Sequence, residues 1–173
     1  VHIFRRVPYF LRNMTFRDDC YNASKVVFRR SAYDQIPNDY RTFRYAGDWL
    51  FMASLVAQGD VIRVHRKLNY YRWHGNNVTT QGEREGKALR ENIRKYSILF
   101  TFPAMSRYNR WLVCGMMYKL ICRQAQDPAQ RATLMQEASG LLGMRPWHYV
   151  LERVNKTLSN IFPWLPGGSR YSL

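Results

Sequence analysis

Acidic residues are scarce in this 173-residue sequence: 12 Asp and Glu stand against 27 Lys and Arg, a formal net charge of +15. Such a balance points to an anionic partner, whether nucleic acid, an acidic lipid surface or a phosphorylated substrate. Cysteine is also sparse. Cys20, Cys114 and Cys122 have neither paired nor metal-type spacing, which excludes a disulfide framework and a zinc cluster and favours a reduced compartment. No cleavable signal is present, and no apolar run is long enough to span a bilayer. The longest candidate, Trp111 to Cys122, is too short and contains Lys119. Internal repeats and low-complexity tracts are missing as well. With 46% of residues apolar, the chain is not disordered overall and can bury a core. Asn13, Asn22, Asn77 and Asn155 fit the glycosylation acceptor pattern, and without a secretion signal they read as chance. The sequence opens on Val, with no apolar strand leading into a phosphate-binding loop, so the expectation is a fragment of a larger enzyme.

What is there centres on Arg44 to Thr80. Trp49, Met52, Ala53 and Val56 recur at helical spacing, predicting a helix from about Asp48 to Gln58. Asp48 would sit in its first turn or at its cap, and Gly59 would end it in a left-handed conformation. Val61 to Val64 and Leu68 to Tyr71 are rich in branched and aromatic residues and read as strands. The second delivers Arg72, Trp73 and His74 to a turn at Gly75-Asn76-Asn77. Upstream, Lys25 to Arg29 reads as a short strand with Val26, Val27 and Phe28 in a sheet core. Ser31 and Asp34 have the spacing of a capping box, closed by Pro37. Asp18-Asp19 follows no apolar strand and reads as a solvated turn.

After Thr80 the composition changes. Gln81 to Lys87 is polar and glycine-punctuated, a boundary between segments 1–82 and 83–173. Leu89, Ile93, Tyr96 and Phe100 form a helical stripe, and a second helix covers about Met105 to Gln124. Asp127-Pro128 is a cap followed by proline at the first helical position, starting a third helix that ends near Gly143. Pro146 starts a fourth, striped by Trp147, Val150, Leu151, Val154, Leu158 and Ile161. This half is expected to supply much of the core.

The run GDWLFMASLVAQGDVIRVHRKLNYYRWHGNNVT resembles the second half of the catalytic domain of family 2 glycosyltransferases, which have the GT-A fold. The matching pieces are Asp48-Trp49, Gly59, and Tyr71-Arg72-x-His74-x-x-Asn77-x-Thr79, with Ser24 to Ile36 resembling the strand and turn before them. The likeness covers roughly Tyr21 to Thr80. It implies an α/β fold: the last strands and helices of a GT-A sheet, followed by a C-terminal helical region. An exposed edge of that sheet would favour association. The family often carries a second acidic residue where Gly47 stands.

Glycosyl transfer needs a base for the acceptor hydroxyl and neutralisation of the departing diphosphate. The resemblance implies Asp48 as the base of an inverting enzyme. Arg72 and His74, two residues apart on one strand face, suit the diphosphate: an Arg fork matches phosphate, and neutral imidazole ligates a divalent ion. The implied cofactor is Mn or Mg, with His74 as its ligand. Asn77 and Thr79 order that loop or touch the phosphates, and Trp49 and Trp73 are candidate acceptor-binding platforms. His2, His65 and His148 have no partners at ligand spacing. The implied partners are a nucleotide-diphospho-sugar donor and a glycan or lipid-linked acceptor, in surface polysaccharide synthesis. The implied place is the cytoplasm, peripheral to the anionic inner face of the membrane, with no nucleic-acid partner. The chain alone, lacking the donor-binding half, is expected to be inactive. A reading of a different class is a basic, helix-rich module, not an enzyme, that binds nucleic acid or an anionic membrane surface.

Overall fold

In the computed structural model, residues 2–5, 26–64, 66, 68, 70, 86–162 and 165 are described. The chain divides into two compact units, Val1–Asn77 and Val78–Leu173. The described residues are mostly helical. Their only sheet is a two-stranded antiparallel ribbon, β1 (His2–Phe4) against β2 (Val61–Arg63), with Ile3 opposite Ile62. This corrects the expectation of an α/β, partial GT-A sheet. Residues 26–29 take no strand conformation, and Val27 is 99% exposed rather than in a sheet core. A short apolar run becomes a strand only where a neighbouring strand takes up its backbone groups; these four residues have none among the described segments.

The first unit is built on helix α2. A short helix α1 (Arg30–Tyr33) and a 3-10 turn (Asn38–Thr42) lead into α2 (Gly47–Val56). The capping box does not form: α1 starts without a side-chain cap, and Asp34 instead bonds Arg30 Nε at 2.9 Å. Helix α2 buries Trp49, Leu50, Met52, Ala53 and Leu55 and packs on the 3-10 turn, with Ile36 and Phe43 buried in the same unit. Gly59 is not left-handed; the helix closes through Gln58 N–H to Leu55 O and Gly59 N–H to Val56 O.

The described residues of the second unit form four helices: α3 (Lys87–Leu99), α4 (Arg107–Gln124), α5 (Pro128–Leu142) and α6 (Trp147–Ile161). Local chemistry sets their ends. Ser106 accepts the Asn109 N–H to cap α4, and Asp127 accepts from Ala129 and Gln130 to cap α5, with Pro128 in its first turn. Gly143, at φ 65°, ends α5 in the left-handed region where a side chain is strained. Leu89, Ile93, Leu99, Leu112, Val113, Met117, Ile121 and Leu134 are fully buried, each worth roughly 1.5–3 kcal/mol of apolar transfer. Helix α3 packs on α5, and α6 lies along α4.

The α4–α6 contact turns on Gly115. A Cβ there would run into the His148 carbonyl oxygen of α6 and come within 2.6 Å of Glu152 Cβ. Around this close approach the inward side of α6 is polar. His148, Asn155 and Ser159 are each no more than 6% exposed. Asn155 Oδ1 accepts the Tyr108 hydroxyl at 2.7 Å, and His148 Nδ1 accepts the Arg145 N–H at 2.8 Å. Most of the apolar stripe of α6 faces outward: Trp147, Val150, Val154, Leu158, Ile161 and the adjoining Phe162 are 39–65% exposed, while Leu151 is half-buried.

Two outcomes follow. Gly115→Ala should lower stability by about 1–3 kcal/mol, because the obstructing atoms belong to the α6 backbone and cannot rotate away; a fall in the urea midpoint checks this. Burial lowers the His148 pKa below its ordinary 6.5. The unfolded chain therefore binds the proton more readily, and this stability is complete above that value and lost as pH falls below it. Urea midpoints at pH 7.5 and 5.5 should fall for the native chain and flatten in His148→Asn, which keeps an acceptor but does not titrate.

Candidate functional site around Asp48

Asp48 is exposed in the first turn of α2. The cap position is Ala46, which makes no side-chain cap bond. Asp48 Oδ1 accepts the Trp49 N–H at 2.7 Å, so the carboxylate takes up one amide that the helix start leaves unpaired. That bond fixes the orientation of the carboxylate at the surface end of an otherwise buried helix.

Gly47 has a steric reason to be glycine. A Cβ there would lie 2.6 Å from the Tyr40 carbonyl oxygen and 3.5 Å from Phe43 Cβ. The 3-10 turn packs too tightly for an acidic neighbour to precede Asp48.

Trp49 is 7% exposed and belongs to the core of the first unit. The open aromatic surface lies elsewhere. Phe51, one turn along from Asp48 and on the same side of α2, meets Phe28 edge-on at 5.4 Å and Tyr40 at 5.0 Å between ring centroids. Tyr33 completes the group, 6.1 Å from Phe28 and 6.2 Å from Phe51. Arg41 ties the tyrosines together, donating from Nε to Tyr40 Oη at 3.2 Å and from Nη2 to Tyr33 Oη at 3.0 Å. The Arg41 hydrogen bond lowers the Tyr40 pKa from 10.0. Sequence spacing does not reveal this cluster, since three of its rings come from loops and short turns. The one available signal is the Phe51 position, three residues after Asp48.

Arg72, Trp73, His74, Asn77, Thr79 and Asp18-Asp19 lie outside the described residues, as do residues 69 and 71 of the expected strand 68–71, whose described members Leu68 and Tyr70 take no strand conformation. Among the described residues no group of three or more His, Cys, Asp or Glu is placed to hold a metal ion. Cys114 is a packed core thiol whose Sγ lies 3.6 Å from Leu142 O, with burial pushing its pKa to about 11. No described helix is long and apolar enough to cross a membrane.

No protein-family model matches the chain, and no curated protein or solved structure matches it.

Proposed function

We propose that the chain provides the acceptor side of an inverting glycosyltransferase resembling family 2, with Asp48 as the base. The observation that carries this reading is the exposed, oriented carboxylate at the first turn of α2, beside a half-open aromatic cluster. It is followed by the helix end near Gly59 and the strand at Val61, in the order of the resembled segment. The proposal rests on these residues and not on the GT-A sheet, which the described residues do not form.

In the reaction, the acceptor hydroxyl gives its proton to the Asp48 carboxylate as its oxygen bonds the anomeric carbon. The bond from that carbon to the diphosphate breaks, and the nucleoside diphosphate leaves with the electron pair. Arg72 and His74 are the groups assigned to its charge, with Asn77 and Thr79 ordering their loop. A sugar acceptor, apolar on its C–H face, lies against the Phe51–Tyr40–Tyr33 rings; Trp49, being buried, has a packing role. The compartment assigned to this chemistry is the cytoplasm, where nucleotide-sugars are supplied.

The test uses the protein expressed in its native reading frame, assayed against UDP- and GDP-linked hexoses. Asp48→Asn should leave nucleoside diphosphate binding within about twofold and cut transfer by roughly 10²–10⁴. The 173-residue chain alone should show no turnover, since the resemblance does not extend over the donor-nucleotide half. Full activity in Asp48→Asn would overturn the assignment, as would an absence of any nucleotide-sugar binding by the native protein.

A further inference from the structure

Helix α6 is amphipathic in the unusual sense. Its buried residues are polar, at His148, Asn155 and Ser159, and its outer residues are apolar, at Trp147, Val150, Val154, Leu158, Ile161 and Phe162. Solvating such a stripe is costly: about 25 cal/mol for each Å² of apolar surface left in water. An exposed contiguous apolar face marks an interaction site. The question is what covers it.

Charge selects the occupant. The cations of α6 itself, Arg153 and Lys156, are exposed, as is Arg145 just before it. The single acidic residue of the helix, Glu152, is only half open, with Oε2 buried and without a hydrogen-bond partner. At the N-terminal end Trp147 packs edge-on against Trp111 at 5.4 Å, and the Arg107 guanidinium lies 5.0 Å over the Trp111 ring. Exposed guanidinium and ammonium groups thus accompany the aromatic rings and aliphatic side chains on α6 and at its start. A second copy of the chain would bring two strongly cationic surfaces together, each protein carrying +15. Nucleic acid would meet the charge but leave the Val, Leu and Ile side chains with no base faces to stack on. A bilayer with anionic headgroups meets both demands: apolar residues enter the acyl boundary while Arg and Lys remain among phosphates.

We propose that the outer face of α6 is a docking surface for an anionic lipid bilayer, with the helix lying in the interface plane. This goes beyond the reading of Asp48 and does not depend on it.

The experiment is co-sedimentation of the whole chain with vesicles of phosphatidylcholine alone and of phosphatidylcholine mixed with phosphatidylglycerol, at low and high salt. Binding should require phosphatidylglycerol, weaken with salt, and shift the tryptophan emission to the blue. Val154→Asp with Leu158→Asp should reduce binding at least about tenfold with unchanged far-ultraviolet circular dichroism. Arg153→Glu with Lys156→Glu should reduce it several-fold, so the test survives if the first pair does not fold. Asp48→Asn should bind like the native chain, which separates this proposal from the transferase reading. No binding to phosphatidylglycerol vesicles, equal binding to neutral vesicles, or binding indifferent to both variant pairs would overturn the proposal. A dimer abolished by Val154→Asp, or DNA binding lost in that variant, would overturn it in favour of the other occupants.

Discussion

The second unit depends on one close approach. At Gly115 the backbone of α4 lies against the backbone of α6, with no room for a methyl group between them. At that point a large side chain has no room, and the rings that bridge the two helices, Trp111 with Trp147 and Tyr118 with Tyr149, flank it. Polar groups of α6 line it: His148 bonded to the Arg145 amide, Asn155 to the Tyr108 hydroxyl and Ser159 to the Lys156 carbonyl, with Glu152 Oε2 buried without such a bond. Buried polar groups are tolerated when hydrogen-bonded, and the Asn155–Tyr108 bond, which alone of the three crosses to α4, ties the rotation of α6 to that helix. The apolar residues of α6 are consequently turned to the surface, and the surface property of the chain follows from a packing constraint in its interior.

The first unit shows the same logic on a smaller scale. Gly47 lets the 3-10 turn press its Tyr40 carbonyl against the start of α2, which brings the Tyr40 ring onto Phe51 and leaves Asp48 at the exposed end of a buried helix. An aromatic surface and a carboxylate are placed on the same side of α2 by a residue that has no chemistry of its own. Arg41, bonded to both tyrosine hydroxyls, holds the rings in register.

The helices of the second unit were legible because their signals are local. Asp127-Pro128 and Gly143 mark α5 through capping and left-handed backbone geometry, and α3, α4 and α6 fall within a few residues of their apolar periodicity. Helix α2 and the placement of Asp48 in its first turn were readable for the same reason. The sheet was not. Val26 to Phe28 have strand composition, but strand formation depends on a partner elsewhere in the chain, and composition carries no information about one. The left-handed turn expected at Gly59 failed because consecutive turn hydrogen bonds ended the helix without it. The direction of α6 was illegible from its own residues: periodicity shows that a helix has an apolar face, and only Gly115, on a different helix, shows that this face points outward. The Phe28–Tyr33–Tyr40–Phe51 cluster was hidden because its members are joined by folding rather than by spacing.

Thiol labelling reads the orientation of α6 in solution. In a chain whose Cys20, Cys114 and Cys122 are replaced by Ala, single cysteines are placed at Val154 and at Ser159, and their rates of reaction with a water-soluble maleimide are compared. The cysteine at position 154 should react at close to the rate of an unfolded control, while that at 159 should be strongly protected until denaturant is added. Protection at 154 with ready labelling at 159 would mean that α6 buries its apolar stripe, and the polar contact around Gly115 would not be the interaction that organises this unit.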